Sequence, residues 1–156
     1  ESNLLYSKKD ANEKDIESAL SISQSTEFVS KKPEGIHSEI SQGGTNVSGG
    51  QRQRLSIARA IVRKPEIYIF DDSFSALDFK TDAKLREALA ASCKETKSTV
   101  LLVAQRISSI LHADQIIVLD EGKMVGKGTH AELMESCDVY QQIASSQLTK
   151  EELANV

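Results

Sequence analysis

Along this chain, apolar residues fall either at helical spacing or in short unbroken runs. Ile16, Ala19, Leu20 and Ile22 follow the helical pattern, with Asp10 or Asn12 placed to cap the helix they define. A second helix is expected over Ser25 to Lys31, stopped by Pro33. Residues 34–50, "EGIHSEISQGGTNVSGG", hold five of the chain's eight glycines and show no sustained period. A loop of that length is expected to carry function. In "QRQRLSIARAIVRK", which follows, Leu55, Ala58, Ile61 and Val62 make one apolar stripe, and Pro65 ends the helix. Arg52, Arg54, Arg59 and Arg63 surround that stripe, either supporting the helix or standing in solvent.

The unbroken runs are "IYIF" (67–70), "TVLLVA" (99–104) and "QIIVLD" (115–120), separated by helical stretches at 79–96 and about 106–112. Strands without polar alternation, interleaved with helices, imply an α/β fold with a mostly parallel sheet covered on both faces. "DEGKMVGKG" reads as a tight turn into a short antiparallel edge strand, and Thr129 with Glu132 three residues on makes a capping box.

Composition narrows the function more than the fold. The 156 residues carry a net charge of −4, which offers no basic footprint for nucleic acid or anionic lipid. Cys93 and Cys137 are isolated thiols without metal-ligand spacing, compatible with a reducing compartment. His37, His112 and His130 also lack metal spacing and are expected on the surface. No apolar run approaches the length of a membrane span, and the opening "ESNLLYSKKD" starts mid-pattern, as a piece of a longer chain would.

Two places carry candidate chemistry. "NVSGGQ" directly precedes a helix, where unpaired backbone N–H groups favour phosphate. Gly49 and Gly50 permit close approach, Ser48 adds a hydroxyl and Gln51 an amide. The second place is the end of "IYIFDD", where an apolar strand stops in Asp71 and Asp72. In open α/β folds ligands bind at the carboxyl ends of strands. A single carboxylate there suits a hard cation such as Mg²⁺, which keeps waters and phosphates as its other ligands.

With these motifs in order, "VSGGQRQRLSIARAIVRKPEIYIFDDSFSALD" resembles the signature helix, Walker B strand and D-loop of an ATP-binding cassette (ABC) ATPase, most of all those of ABC exporters. The resemblance extends along the chain. "ESNLLY" is similar to the stretch after the Q-loop, "SEISQGG" (38–44) to the exporter X-loop with Glu39 on its acidic position, "VAQRISSI" to the switch loop and "GTHAEL" to the start of the C-terminal helices. It implies a P-loop NTPase fold of ABC type with part of the helical signature subdomain over about 1–64. The Walker B, D-loop and switch region would cover about 65–128, and the C-terminal helices 129–156. Nothing fits the phosphate-cradling G-x-x-x-x-G-K-[ST] pattern, which in the family comes before the equivalent of Glu1.

The resemblance further implies ATP and Mg²⁺ as cofactors, with Asp71 toward the metal and Asp72 and Gln105 at the catalytic positions. A second nucleotide-binding domain, packed head to tail, would be contacted by Ser48, Gly49, Gly50, Gln51 and Asp78. Transmembrane coupling helices would lie near Glu39, at the cytoplasmic face of the cell membrane. Two residues depart from the family pattern: Asp72 stands where a general-base Glu is usual, and Gln105 where a His is usual. Asp is shorter by one C–C bond, ~1.5 Å, and Gln carries neither proton nor positive charge. Both changes fall on one composite site while the signature differs only by Val47 for Leu. That combination points to the hydrolysis-impaired half of a heterodimeric exporter. A competent homodimeric exporter is the nearest rival. A chromosome or DNA-repair ATPase would bring coiled-coil heptads, which are absent, and a regulatory module without nucleotide would not need an intact signature.

Overall fold

The computed structural model describes residues 1–148. They form two compact units, the first from Glu1 to Val103 and the second from Ala104 onward.

The first unit opens with a single helical turn, α1 (Ser2–Leu5), that buries Leu4. In α2 (Glu13–Ile22) the cap is Asn12, whose side chain accepts the Asp15 N–H at 2.9 Å. α3 (Thr26–Ser30) follows, and two short 3-10 turns at Gly35–His37 and Gln42–Gly44 shape the long loop. The loop is ordered by its own polar groups: Asn46 donates to the Glu39 carbonyl at 2.9 Å and accepts from the Ser41 N–H at 3.1 Å. Helix α4 (Gly49–Ile61) then buries Leu55, Ile57, Ala58 and Ile61 as one stripe. Two of its arginines tie down loops. Arg52 donates to the Gly43 carbonyl at 2.9 Å, and Arg54 donates to the Gln24 carbonyl at 2.6 Å while its guanidinium lies over the Phe28 ring. Past the helix end, Lys64 meets the Asp15 carboxylate at 2.6 Å, and Lys8 meets it at 3.1 Å. Bonding to Lys64 first, then Lys8, lowers the Asp15 carboxyl to about 2.

Strand β1 (Ile67–Asp71) pairs in parallel with β2 (Thr99–Val103), and α5 (Phe79–Thr96) forms the crossover between them. Tyr68 and Phe70 point into the core that α4 and α5 help to build, where Leu85 is fully enclosed. On the opposite face Ile69 is 71% exposed and Leu101 55%. Among the described residues β1 has one hydrogen-bonded neighbour, β2.

In the second unit β3 (Ile116–Asp120) and β4 (Lys123–Gly128) form an antiparallel hairpin of their own. Its two turn residues, Glu121 and Gly122, both have positive φ, as a type I′ turn requires. Helices α6 (His130–Ser136) and α7 (Asp138–Gln147) pack Leu133, Tyr140 and Ala144 against Ile116 and Val118. The capping box of α6 forms as expected, with Thr129 and Glu132 exchanging bonds.

Two expectations are corrected here. The helix expected at about 106–112 reduces to a 3-10 turn at Ile107–Ser109. Gln147, some forty positions away, accepts the Ile107 N–H at 2.9 Å and donates to the Gln105 carbonyl at 2.9 Å, so these backbone groups bond outside any local helix. His130 is not a surface residue: it is buried, and its Nδ1 lies 2.7 Å from the Tyr140 hydroxyl. A hydroxyl partner inside the core is what makes that burial affordable to an imidazole. His37 and His112 are exposed as expected.

Candidate functional site

The glycine loop ends at a well-made helix start. Ser48 caps α4: its hydroxyl accepts the Gln51 N–H at 3.2 Å, and the Gln51 side chain accepts the Ser48 N–H at 3.0 Å. This reciprocal pair fixes the entry angle of the chain. It also engages the carboxamide of Gln51 through its oxygen. The N–H groups of Gly49 and Gly50 fall in the first turn, where a helix has no carbonyl of its own to offer. Ser48 still has a hydroxyl proton to donate. Ser48 and Gly49 are exposed, and a Cβ built on Gly49 would meet nothing within 4 Å. Gly50 is different. A Cβ there would stand 3.0 Å from the Ala76 carbonyl oxygen, so glycine lets the helix start sit directly on the turn that follows β1.

That turn begins at the paired acids. Asp71 ends β1 and is exposed, and at Asp72 the backbone enters the left-handed region with φ 47°. Asp is among the few non-glycine residues that visit this region readily. The chain therefore leaves the strand sharply, and Phe74 and Leu77 drop into the core to anchor the turn. Phe74 packs edge-on against Phe70, and Arg86 of α5 lies over its ring at 4.4 Å. Asp78 caps α5, its carboxylate accepting the Thr81 N–H at 2.9 Å, and that bond holds its carboxyl below the usual range. The carboxylate foreseen as a contact to a second domain is thus also the residue that starts α5.

One side chain joins these two pieces. From α4, Gln53 donates to the Asp72 carbonyl at 3.3 Å and to the Ser75 hydroxyl at 3.1 Å, and accepts the Ala76 N–H at 2.9 Å. The sequence reading overlooked it. The signal was its place three residues after Gly50, on the same face of the helix. Gln53, Ser56, Ile69, Asp71, Asp72 and Ser73 line an open depression beside the end of β1. The first unit therefore brings Ser48, Gly49, Gly50 and Gln51 together with the Asp71–Asp78 turn. Gln105 belongs to the second unit, where it is exposed and its carbonyl is held by Gln147. Glu39 is exposed on the long loop.

Residues 3–75 match the family model described as ABC transporter. An ABC transporter ATP-binding protein of Mycobacterium tuberculosis, itself uncharacterized, is 47% identical over 135 residues, 86% of this chain and 22% of its own. This chain belongs to the ABC transporter ATP-binding domains. Another relative, the uncharacterized ABC transporter ATP-binding protein YfiB of Bacillus subtilis, is 42% identical over 96% of this chain and 25% of its own. An ABC multidrug transporter of Trichophyton rubrum, MDR2, is 42% identical over 84% of this chain. The chain thus spans about a quarter or less of the length of these relatives. Among solved structures, a bacterial Atm1-family ABC exporter with ATP bound superposes with a TM-score of 0.88 at 30% identity, covering 96% of this chain and 26% of that one.

Proposed function

We propose that this chain serves the ATP-driven export of a substrate by an ABC exporter and forms the hydrolysis-impaired half of a heterodimer. The observation that carries this reading is an intact N-terminal capping box on the signature helix, in a chain whose sequence has Asp72 and Gln105 where the family usually has Glu and His. The Ser48 hydroxyl and the Gly49 and Gly50 N–H groups would then close over an ATP held by a second nucleotide-binding domain packed head to tail. Asp78 lies on the same exposed turn, facing that partner. Glu39, on the exposed loop, would meet the coupling helices of the transmembrane part at the cytoplasmic face of the membrane.

The donor set at the end of β1 fits Mg²⁺: Asp71 is a single exposed carboxylate with room for waters and phosphate oxygens beside it. The ion, when bound, offsets charge on the phosphates. At the chain's own site, Asp72 would have to orient the attacking water as base with a carboxylate short by one methylene, and Gln105 would hold phosphate with a neutral amide. Both shortfalls slow turnover without preventing nucleotide from binding.

Two variants in the assembled transporter test this. Ser48→Arg removes the hydroxyl and sets a bulky side chain against the Gly49 and Gly50 N–H groups that would close the partner's site, and is expected to lower steady-state ATP turnover by about 10²-fold. Asp72→Asn removes only the impaired site's base and should leave turnover within about twofold. The opposite pattern, with Asp72→Asn abolishing turnover, would identify a competent site and overturn the heterodimer reading.

A further inference from the structure

We infer that Gln53 is a positioning residue: its one carboxamide clamps the signature helix to the turn that carries Asp72, so the two ends of the composite machinery move as one piece. The inference rests on the proposed hydrolytic role of Asp72 only for its effect on turnover.

Three bonds converge on this side chain, all to residues 19 to 23 positions away. Two come from the amide nitrogen, to the Asp72 carbonyl and the Ser75 hydroxyl, and the third is the Ala76 N–H onto the amide oxygen. A carboxamide is the side chain that can donate and accept at once from one rigid plane. The Asp72 carbonyl it grips belongs to the residue with φ 47°. Backbone held in that region persists only where neighbouring groups over-determine it. Here the neighbours are Gln53 and the Ser75 hydroxyl, which also donates to the Asp72 carbonyl at 3.2 Å. The Asp72 backbone carries its carboxylate, so by restraining that carbonyl Gln53 helps to position the side chain.

The same helix face makes a second attachment one turn earlier. Gly50 sits so near Ala76 that a Cβ would stand 3.0 Å from its carbonyl oxygen and 3.8 Å from a Leu77 methyl. Ala76 is thereby held on both sides, its N–H by Gln53 and its carbonyl against Gly50. Any shift of the helix start toward or away from a ligand at Ser48 drags the Ser75–Leu77 segment, and Asp78 just beyond it, along. A ligand felt at the signature is thus transmitted mechanically to the turn bearing Asp72, within one unit of the chain.

Two variants separate the bonds. Gln53→Leu removes all three, while Gln53→Glu keeps an acceptor for the Ala76 N–H and loses both donations. Amide exchange in the full chain should show Ala76 exchanging about fivefold to tenfold faster in Gln53→Leu, and within about twofold of wild type in Gln53→Glu. The β2 amides serve as the control for intact folding. In the assembled transporter, with turnover at this chain's own site isolated, both variants should lower kcat by about tenfold or more at unchanged KM, because both leave the Asp72 carbonyl to the Ser75 hydroxyl alone. Unchanged Ala76 exchange in Gln53→Leu overturns the clamp. Faster exchange with kcat unchanged overturns the positioning role. A wild-type site that turns over no ATP removes Asp72's role as base while leaving the impaired-half reading standing, and the exchange arm then decides the clamp alone.

Discussion

Restoring the family's usual residues at the two departing positions is the most direct perturbation of this site. Asp72→Glu lengthens the carboxylate by one C–C bond, ~1.5 Å. Misplacement of a reacting group on the order of 1 Å costs ~10² in rate, equivalent to about 2.7 kcal/mol of barrier. The change also has a cost that the backbone makes visible. With φ 47° at this position, Asp is tolerated better than Glu, and the strain added is on the order of 1 kcal/mol. For a chain of this size that lowers the melting temperature by about 2–4 °C. We therefore expect Asp72→Glu alone to be slightly less stable and barely more active, since Gln105 still offers no charge to the phosphate. Asp72→Glu with Gln105→His should raise hydrolysis at this site by ~10² or more, with a positive coupling in the double-mutant cycle. The assay is single-turnover hydrolysis in a transporter whose partner domain has its own catalytic Glu replaced by Gln. Full rescue by Asp72→Glu alone would show Gln105 to be harmless and refute the two-residue account. No rescue by the pair, with a partner signature that is intact, would refute the argument from reach.

Other consequences concern stability. Tyr140→Phe leaves the buried His130 Nδ1 without its hydroxyl partner and should cost about 1–3 kcal/mol, read from thermal or urea melts; an unchanged midpoint would mean that the pair contributes nothing. Acid should destabilise the chain in two stages. Burial, with His112 as a lesser cause, holds the His130 pKa below 6.5, so the unfolded chain takes up that proton first and stability falls as pH drops below 6.5. Asp15, held at about 2 against an ordinary 3.8, stabilises the fold above 3.8, and this contribution fades as pH falls toward 2. Melting temperatures measured between pH 7 and pH 2 should show both declines, and Asp15→Asn should shrink the lower one, to which Asp78 also contributes; a flat profile contradicts both assignments.

What the amino-acid sequence determined by itself was local. The caps at Asn12, Ser48 and Thr129 bond to N–H groups three residues on, so their partners are legible within a few letters. The strand runs, the α5 helix between them and the Glu121-Gly122 turn are likewise short-range decisions of apolar period and backbone preference. The ordered motifs and the two substituted positions, Asp72 and Gln105, could be read from residue identity alone. Only the tertiary structure decided matters that depend on distant residues. Gln147 diverts the backbone around Gln105 and Ile107 from the helix that local spacing favours, and Tyr140 gives His130 a reason to be inside. Gln53 belongs here too: its place three residues after Gly50 puts it on the same helix face, but only folding brings Asp72 and Ala76 within reach of its carboxamide. Hydrogen-bond geometry acts over about 3 Å, so a partner twenty or forty positions away becomes visible only once packing has closed that distance.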